Sequence, residues 1–298
     1  MPSLKAIKTR IASVKNTQQI TRAMKLVAAA KMKRAIDNAL ASRPYSDEVT
    51  AVLRSLLSRM DELNHPLLVP KGEVKRVVVV AIASDRGLCA GFNNNLGRKV
   101  DRFIWDHTGR SGEWSDVEII PFGRKMLDFA KRSESRVGDG ETDLHADKHD
   151  AMTTKLIADL SARFTAEAGA EGAVDEVYIA YNRFVNTLSQ TPTIEKLFPL
   201  EGLTDGDIEE PEHLVEFVYE PDKEQILGSI LPLFLRTRVT QVFLESEAGE
   251  HAARMTAMDA ATRNAKDVID SLTIQYNRAR QAAITKELIE IVAGAEAL

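Results

Sequence analysis

Residues 233–298 read LFLRTRVTQVFLESEAGEHAARMTAMDAATRNAKDVIDSLTIQYNRARQAAITKELIEIVAGAEAL, and this stretch decides the architecture. It follows Pro232, contains no proline, and has glycine only at Gly249 and Gly294. A run with so few breakers predicts one helix. Its 66 residues (298 minus 232) would extend ~100 Å at a rise of 1.5 Å per residue, whereas helices of globular domains usually run three or four turns. A helix that long must project from any domain this chain can build, and something outside the chain must surround it.

The periodicity agrees. Met255, Met258, Thr262, Ala265, Ile269, Leu272, Tyr276, Ala279 and Ala283 are separated by alternating steps of three and four. That is the heptad seam of a coiled coil. Thr262 interrupts it, and the small Ala265, Ala279 and Ala283 require the partner helix to come close. Toward the end the pattern changes: Ile284, Leu288, Ile289, Ile291, Val292, Ala293 and Ala295 cover most of the circumference. A helix end that is apolar nearly all round is normally buried on all sides; the alternative is a frayed, sticky terminus.

Residues 3 to about 43 read as a second long helix. Leu4, Ile7, Ile11 and Val14 have helical spacing, and Ile20, Met24, Val27 and Ala28 continue it, with polar Gln18 and Thr21 between. Ser3 after Pro2 predicts an N-cap. Pro44 is expected to kink or end the run, and Val49 to Met60 to resume it. Two heptad-like helices at opposite ends of one chain are most economically paired antiparallel, in a left-handed coiled coil.

The net charge of −5 conceals an asymmetry. Residues 1–43 hold ten Lys/Arg against one acid, Asp37, a sum of +9; residues 222–298 hold nine bases and eleven acids, a sum of −2; residues 44–221 therefore carry −12. A basic arm on an acidic body predicts an acidic partner for the arm. A mitochondrial presequence, attraction to an anionic membrane and nucleic-acid binding also fit a basic amphipathic start, although residues 1–43 lack any aromatic side chain for base stacking. A chain that is 44% hydrophobic and 28% charged suits a soluble globular or partly coiled protein. No window of 18 consecutive apolar residues is present, so no membrane-spanning helix is expected. A single cysteine, Cys89, excludes an internal disulfide and suits a reducing compartment.

Between the helices lies a compact α/β portion. Val74 to Ala83 (VKRVVVVAIA) is a buried-strand run. Ser84 to Asn93 (SDRGLCAGFN) follows as a turn, then a helix from about Asn94 to Asp106. Val117 to Pro121 is a strand, Gly123 to Lys131 a helix, 133–147 a charged loop, and Thr153 to Ala168 another helix. Val174 to Phe184 and Ser189 to Phe198 are two further strands, Gly202 to Pro211 an acidic loop, and Leu214 to Tyr219 a short strand before Pro221 opens the last helix. This alternation predicts a small, partly parallel sheet with helices on its faces. The fold expected is therefore α/β: a long antiparallel coiled coil of N- and C-terminal helices plus a small Rossmann-like α/β domain, divided into 1–60, 74–200, a connection at 201–221, and 222–298.

Motifs of chemistry are weak. Residues 84–93 offer a strand–turn–helix that can cradle phosphate, but neither G-x-G-x-x-G nor G-x-x-x-x-G-K-[ST] is present; Gly87 and Gly91 are read as serving tight turns. His145 and His149 have i, i+4 spacing among Asp143, Asp147 and Asp150, in a polar segment read as a solvated loop or helix start. Cys89 has no sequence-local histidine and no C-x-x-C partner, which favours a buried thiol over a nucleophile. On the last helix Arg278, Arg280 and Gln281 present polar groups, and Arg280 can bind carboxylates bidentately. Nothing here resembles a self-sufficient enzyme.

Three stretches together carry a resemblance: IKTRIASVKNTQQITRAMKLVAAAKM (7–32), SDRGLCAGFN (84–93) and SEAGEHAARMTAMDAATRNAKDVIDSLTIQYNRARQAAITKELIEIVAGAEAL (246–298). In these, and in their order, the chain closely resembles the gamma subunits of F-type ATP synthases. It lacks the cysteine-bearing regulatory insert of the chloroplast form. The resemblance implies a central-stalk rotor. The terminal helices would stand inside a ring of alpha and beta subunits, and the α/β domain would sit at the foot against the epsilon subunit and the c-subunit ring. Proton flow would turn the shaft and drive ATP synthesis on beta. It also implies no catalytic residue, metal or cofactor on this chain, with ATP, ADP and Mg²⁺ held by alpha and beta. Carried over by motif position, beta-subunit coupling contacts fall on Met24, Lys25, Arg280, Gln281, Thr285 and Glu287, with Met24 and Lys25 lying near the 280–287 segment on the opposite helix. An apolar bearing falls on Ile284, Leu288, Ile291 and Val292, and a c-ring contact on Tyr219 and Glu220. No nucleic acid is implied. The expected location is the cytoplasmic side of a bacterial inner membrane, peripheral through the complex. A non-rotary coiled-coil scaffold and a nucleotide-binding regulator with helical arms are the competing classes.

Overall fold

The computed structural model describes residues 3–60, 65–167, 169–200 and 222–296. The chain forms two compact units, Met1–Ala30 with Arg254–Leu298, and Lys31–Ala253. Two long helices contribute to both: α1 (Leu4–Leu57) and α5 (Lys223–Glu296).

The larger unit is built on a sheet of β1 (Arg76–Ile82), β2 (Asp116–Phe122), β3 (Arg136–Val137), β4 (Glu176–Phe184) and β5 (Gln190–Phe198). Its order is β3-β2-β1-β4-β5, parallel except for the β4–β5 pair. The valine run of β1 is explained by burial on both faces. Val78, Val80 and Ile82 point into a core shared with α4 (His149–Thr165) and with Leu235, Val239 and Phe243 of α5. Val77, Val79 and Ala81 point into a second core under α2 (Phe92–Trp105) and α3 (Arg124–Ala130). Gly123 takes φ +88, and a Cβ there would lie 2.2 Å from the Ala83 carbonyl oxygen, so the turn into α3 admits only glycine.

Three features depart from the sequence reading. The loop expected at 133–147 contains β3, a strand too short to show any periodicity. α4 begins at His149, four residues before the expected start. Pro44 does not end α1, and Pro232 sits inside α5. Proline removes one backbone donor from a helix; beyond Pro44, burial of Val49, Leu53, Leu56 and Leu57 outweighs that loss, and the three leucines pack on Leu227 and Leu231 of α5.

Polar groups fix the sheet's neighbours. The Glu118 carboxylate on β2 is buried and accepts from Arg136 Nη2 of β3 and Arg163 Nη2 of α4, each at 2.7 Å. Toward the opposite edge of the sheet Glu195 of β5 accepts from Tyr181 Oη at 2.9 Å and pairs with Arg238 of α5 at 2.5 Å. Burial pushes the Glu118 carboxyl up, but the hydrogen bonds and charges of Arg163 and Arg136 outweigh it and hold it below the usual carboxylate range. His149 is buried beside Phe243, and burial holds its imidazole below its ordinary value against the opposing pull of Glu247 and Asp147.

Both shifts set a pH dependence of the same sign. Glu118 has a depressed folded value, so its stabilisation is present above the unfolded carboxylate value and is lost as pH falls through the folded one. Glu118→Ala removes the buried carboxylate partner of Arg163, leaving Asp159 at 3.7 Å, and is expected to lower stability by ~2–4 kcal/mol at neutral pH, read as a urea midpoint; an unchanged midpoint would show that Glu118 does not hold β3 and α4. His149 also has a depressed folded value, so the unfolded chain takes up a proton first and stability falls on acidification. Urea unfolding between about pH 7.5 and 5.5 should show a shallower loss for His149→Phe than for the unaltered chain; equal slopes would show that His149 does not contribute.

Candidate interaction surface

The smaller unit has no sheet, and its helices are held by their seam. On α1 Ile7, Ile11, Val14, Gln18, Thr21, Lys25 and Ala28, in steps of four and three, are each buried or half-buried, and Leu4, Met24 and Ala29 are half-buried as well. On α5 all nine expected seam residues, Met255 to Ala283, are buried or half-buried. Two cross-helix contacts set the direction. The Thr262 hydroxyl donates to Thr21 Oγ1 at 2.8 Å, and Thr21 donates onward to the Gln18 carbonyl at 3.0 Å. Lys25 Nζ donates to Asp259 Oδ1 at 2.6 Å. As the α1 number rises from 21 to 25, the α5 number falls from 262 to 259, so the pair is antiparallel. Hydrogen bonding to Lys25, with the charges of Arg263 and Lys25, holds the Asp259 carboxyl below its ordinary range.

The expected course of the α1 seam is corrected here. Ile20 and Val27 do not line it; they are 60% and 58% exposed. Gln18 and Thr21, read as interruptions, occupy the seam itself. One residue is 100° around a helix, so choosing 20 or 21 decides which face turns inward. The unbroken four–three spacing 7-11-14-18-21-25-28 was the available signal, and its polar members masked it.

Opposed residues sum to 283 (21 plus 262) or 284 (25 plus 259). By that rule Leu4 stands across from about residue 279 or 280. α5 therefore outruns the first described turn of α1. Beyond it Ile284, Leu288, Ile289, Ile291 and Val292 are all exposed. Arg280, Gln281, Thr285 and Glu287 are exposed on the same turns, with the Thr285 hydroxyl donating to the Gln281 carbonyl at 2.9 Å. Met24 is half-buried. Met24 and Lys25 do not lie beside 280–287: Lys25 meets Asp259, which precedes Arg280 by 21 residues (280 minus 259), ~30 Å along the helix at 1.5 Å per residue. Tyr219 and Glu220 lie outside the described residues.

In the larger unit, the polar groups of the turn 84–91 are engaged by neighbouring segments of the same unit. Asp85 accepts from the backbone N–H of Arg124, Asp143 and Leu144 at 2.9, 3.0 and 2.7 Å. Asn93 Oδ1 accepts from Ser84 N and Oγ, and Asn93 Nδ2 donates to Cys89 Sγ at 3.2 Å. Left-handed φ falls on Leu88 and Ala90, not on Gly87 or Gly91. Cys89 is buried with Phe92 and Ala253 of α5. His149, expected in a solvated segment, is buried. Among the described residues no group of three or more His, Cys, Asp or Glu is placed to hold a metal ion, and no helix is long and apolar enough to cross a membrane.

What stands out chemically is thus an outward surface, apolar at the α5 tip and basic along α1. A family-wide sequence profile described as ATP synthase matches residues 3–298. The ATP synthase gamma chain of Geotalea daltonii is 42% identical over 299 residues, covering all of this chain and 99% of that one. That of Chlorobaculum parvum is 43% identical over 301 residues, with the same coverage. Among solved structures, a rotor chain of the Euglena gracilis mitochondrial ATP synthase has a TM-score of 0.58 at 18% identity, over 94% of this chain and 98% of that one. A chain of the Tetrahymena thermophila central stalk and c ring has a TM-score of 0.52 at 22% identity, over 81% and 99%; at such identities the likeness is one of fold. From the full-length match and the identity above 40%, the chain belongs to the gamma-chain family of the ATP synthase.

Proposed function

We propose that this chain is the central-stalk rotor of an F-type ATP synthase, carrying torque between a proton-driven c ring and a catalytic hexamer of alpha and beta subunits. The observation that carries the reading is the smaller unit of a gamma-family chain: two helices close on each other along one narrow seam and keep large apolar side chains outside. An enclosing partner is what such a surface requires. A scaffold that self-associates through its seam is less well supported, because the seam partner lies within the same chain.

The rest follows from that role. This chain does no bond chemistry of its own; ATP, ADP and Mg²⁺ belong to alpha and beta. Epsilon and the c ring meet the larger unit and its neighbouring 219–220 segment. The bacterial relatives support a place at the cytoplasmic side of the inner membrane, peripheral through the complex. Residues 1–30 carry six bases and no acid, and 254–298 six of each, so the smaller unit sums to +6; acidic beta-subunit loops complement it. Arg280 and Gln281, with Thr285 and Glu287, take the catching contact near the tip, and Met24 a second one farther along. Ile284, Leu288, Ile291 and Val292 form the bearing, because apolar contacts are non-directional and offer few barriers to turning.

Rotation tests the reading directly. Cys89 is buried, so the bead is attached through Leu188→Cys, at an exposed position, in a complex with alpha and beta. Stepwise, one-directional rotation fuelled by ATP is expected; a chain that sits in the hexamer without turning refutes the rotor. Met24→Lys adds a cation to a half-buried position and is expected to lower proton pumping per ATP hydrolysed with the fold intact; normal pumping would exclude Met24 from coupling. Arg280→Ala is expected to weaken the catching contact by ~1–3 kcal/mol, read as reduced turnover, and unchanged turnover and assembly would remove Arg280 from it.

A further inference from the structure

The smaller unit has an apolar face on α1 that it does not bury. Ile20, Met24 and Val27 have the four–three spacing of a seam, yet Ile20 and Val27 face outward while Thr21 and Lys25 face α5. A rotation of α1 by one residue's 100° would bring the apolar face in. Hydrophobic burial does not decide between the two settings: the turned one would gain Ile20, Met24 and Val27 but would expose Ile7, Ile11 and Val14 and bring Arg10, Ser13 and Thr17 inward, so directional contacts can decide it. The contacts on the inner face are directional: the Thr262–Thr21 hydrogen bond and the Lys25–Asp259 ion pair, with Arg263 Nη1 3.3 Å from the other Asp259 oxygen.

We infer that the Lys25–Asp259 pair, backed by Thr21–Thr262, is a phase lock that fixes how α1 is turned against α5 and so decides which α1 side chains face outward. Polar residues at seam positions are known to specify alignment in coiled coils; Lys25 and Asp259 are half-exposed, so their part is in alignment rather than in stability. The same pair also opposes sliding. Displacing the helices by one heptad one way sets Lys25 across from Lys266 (25 plus 266 is 291, seven above 284), two like charges. Displacing them the other way sets Asp259 across from Gln18 (a sum of 277), without a counter-charge. Lys25 is then a positioning residue working inside the chain, not a contact to beta. The functional weight of the lock rests on the rotor reading, since only a shaft needs a defined outer face; the lock itself does not.

Charge exchange separates the two. In the assembled complex, Lys25→Asp and Asp259→Lys should each lower proton pumping per ATP hydrolysed by roughly threefold to tenfold, and the double exchange should restore it to within about twofold. A double exchange no better than the poorer single variant means that the partner of Lys25 or Asp259 lies on another chain, and overturns the lock. A second readout needs no partner subunits. In the full-length chain with Cys89→Ser, the pair Val14→Cys and Ile269→Cys reports the observed phase (14 plus 269 is 283), and Ser13→Cys with Ile269→Cys reports the turned one. Oxidation should join 14 to 269 and leave 13 apart. Adding Lys25→Asp should move the preference toward 13 by roughly fivefold, and the double exchange should return it. Lys25→Gln, which removes the charge without repulsion, should join both pairs. An unmoved preference for 14 in both Lys25 variants overturns the lock whether or not the complex turns, whereas a moved preference in a complex that never turns would sink only the rotor.

Discussion

The smaller unit depends on one interaction, the antiparallel seam between α1 and α5. Isolated helices are marginal in water whatever their composition, and this unit has no sheet and no second layer to bury a face. Half of its sixteen seam residues are small or polar: Ala28, Ala265, Ala279 and Ala283 let the backbones approach, and Gln18, Thr21, Thr262 and Lys25 supply polar contacts. Small residues give little dispersion energy per layer. The pair therefore holds by many thin layers, and its alignment is set by a few bonds that tolerate only one geometry.

The larger unit solves the opposite problem. Its sheet is buried on both faces, so β1 is apolar from Val77 to Ile82 without alternation and its orientation is set by flanking helices rather than by solvent. The α5 segment that covers one face is held in two ways. Leu235, Val239, Val242 and Phe243 are non-directional packing, while Arg238 pairs with a Glu195 carboxylate that also accepts from Tyr181. That carboxylate resists sliding because its partners are fixed on β4 and α5 at once. Glu118 does the same toward the opposite edge of the sheet, on the same face, for β3 and α4. A subunit that carries torque needs such joints, since packing alone lets a helix roll.

Much of this was legible in the sequence, for identifiable reasons. The α5 seam was read correctly because its members are mostly apolar and the spacing is strict. Four of the five strands were read because valine runs and alternation survive translation into burial. The α1 seam was misread because hydrophobicity and geometry disagree there: Ile20 and Val27 are the apolar choice, Thr21 and Lys25 the one that fits α5. The charged segment around His149 looked solvated because its neighbours in sequence are aspartates, whereas burial is set by Phe243, distant in sequence. β3 was invisible because two residues have no period. Met24 and Lys25 were expected beside 280–287, and only the antiparallel register assigns them to the level of Asp259.

The α5 tip brings these physical arguments to the same place. Ile284, Leu288, Ile289, Ile291 and Val292 are exposed over an arc of ~160° of the helix at 100° per residue, beyond the first described turn of α1. A fixed partner would need only one apolar stripe, about 100° wide, and the rest of the circumference would be polar. An apolar face this wide suits a partner that meets different parts of it at different times. Such a partner cannot rely on directional bonds to the tip, since each bond would have to break at every turn, and a charge-assisted one contributes ~1.5–3 kcal/mol. The polar groups that do occur, Arg280, Gln281, Thr285 and Glu287, share one short stretch with exposed apolar residues. Smooth surface and occasional catch are then two compositions on one helix, and the division between them is written in residue type rather than in backbone geometry.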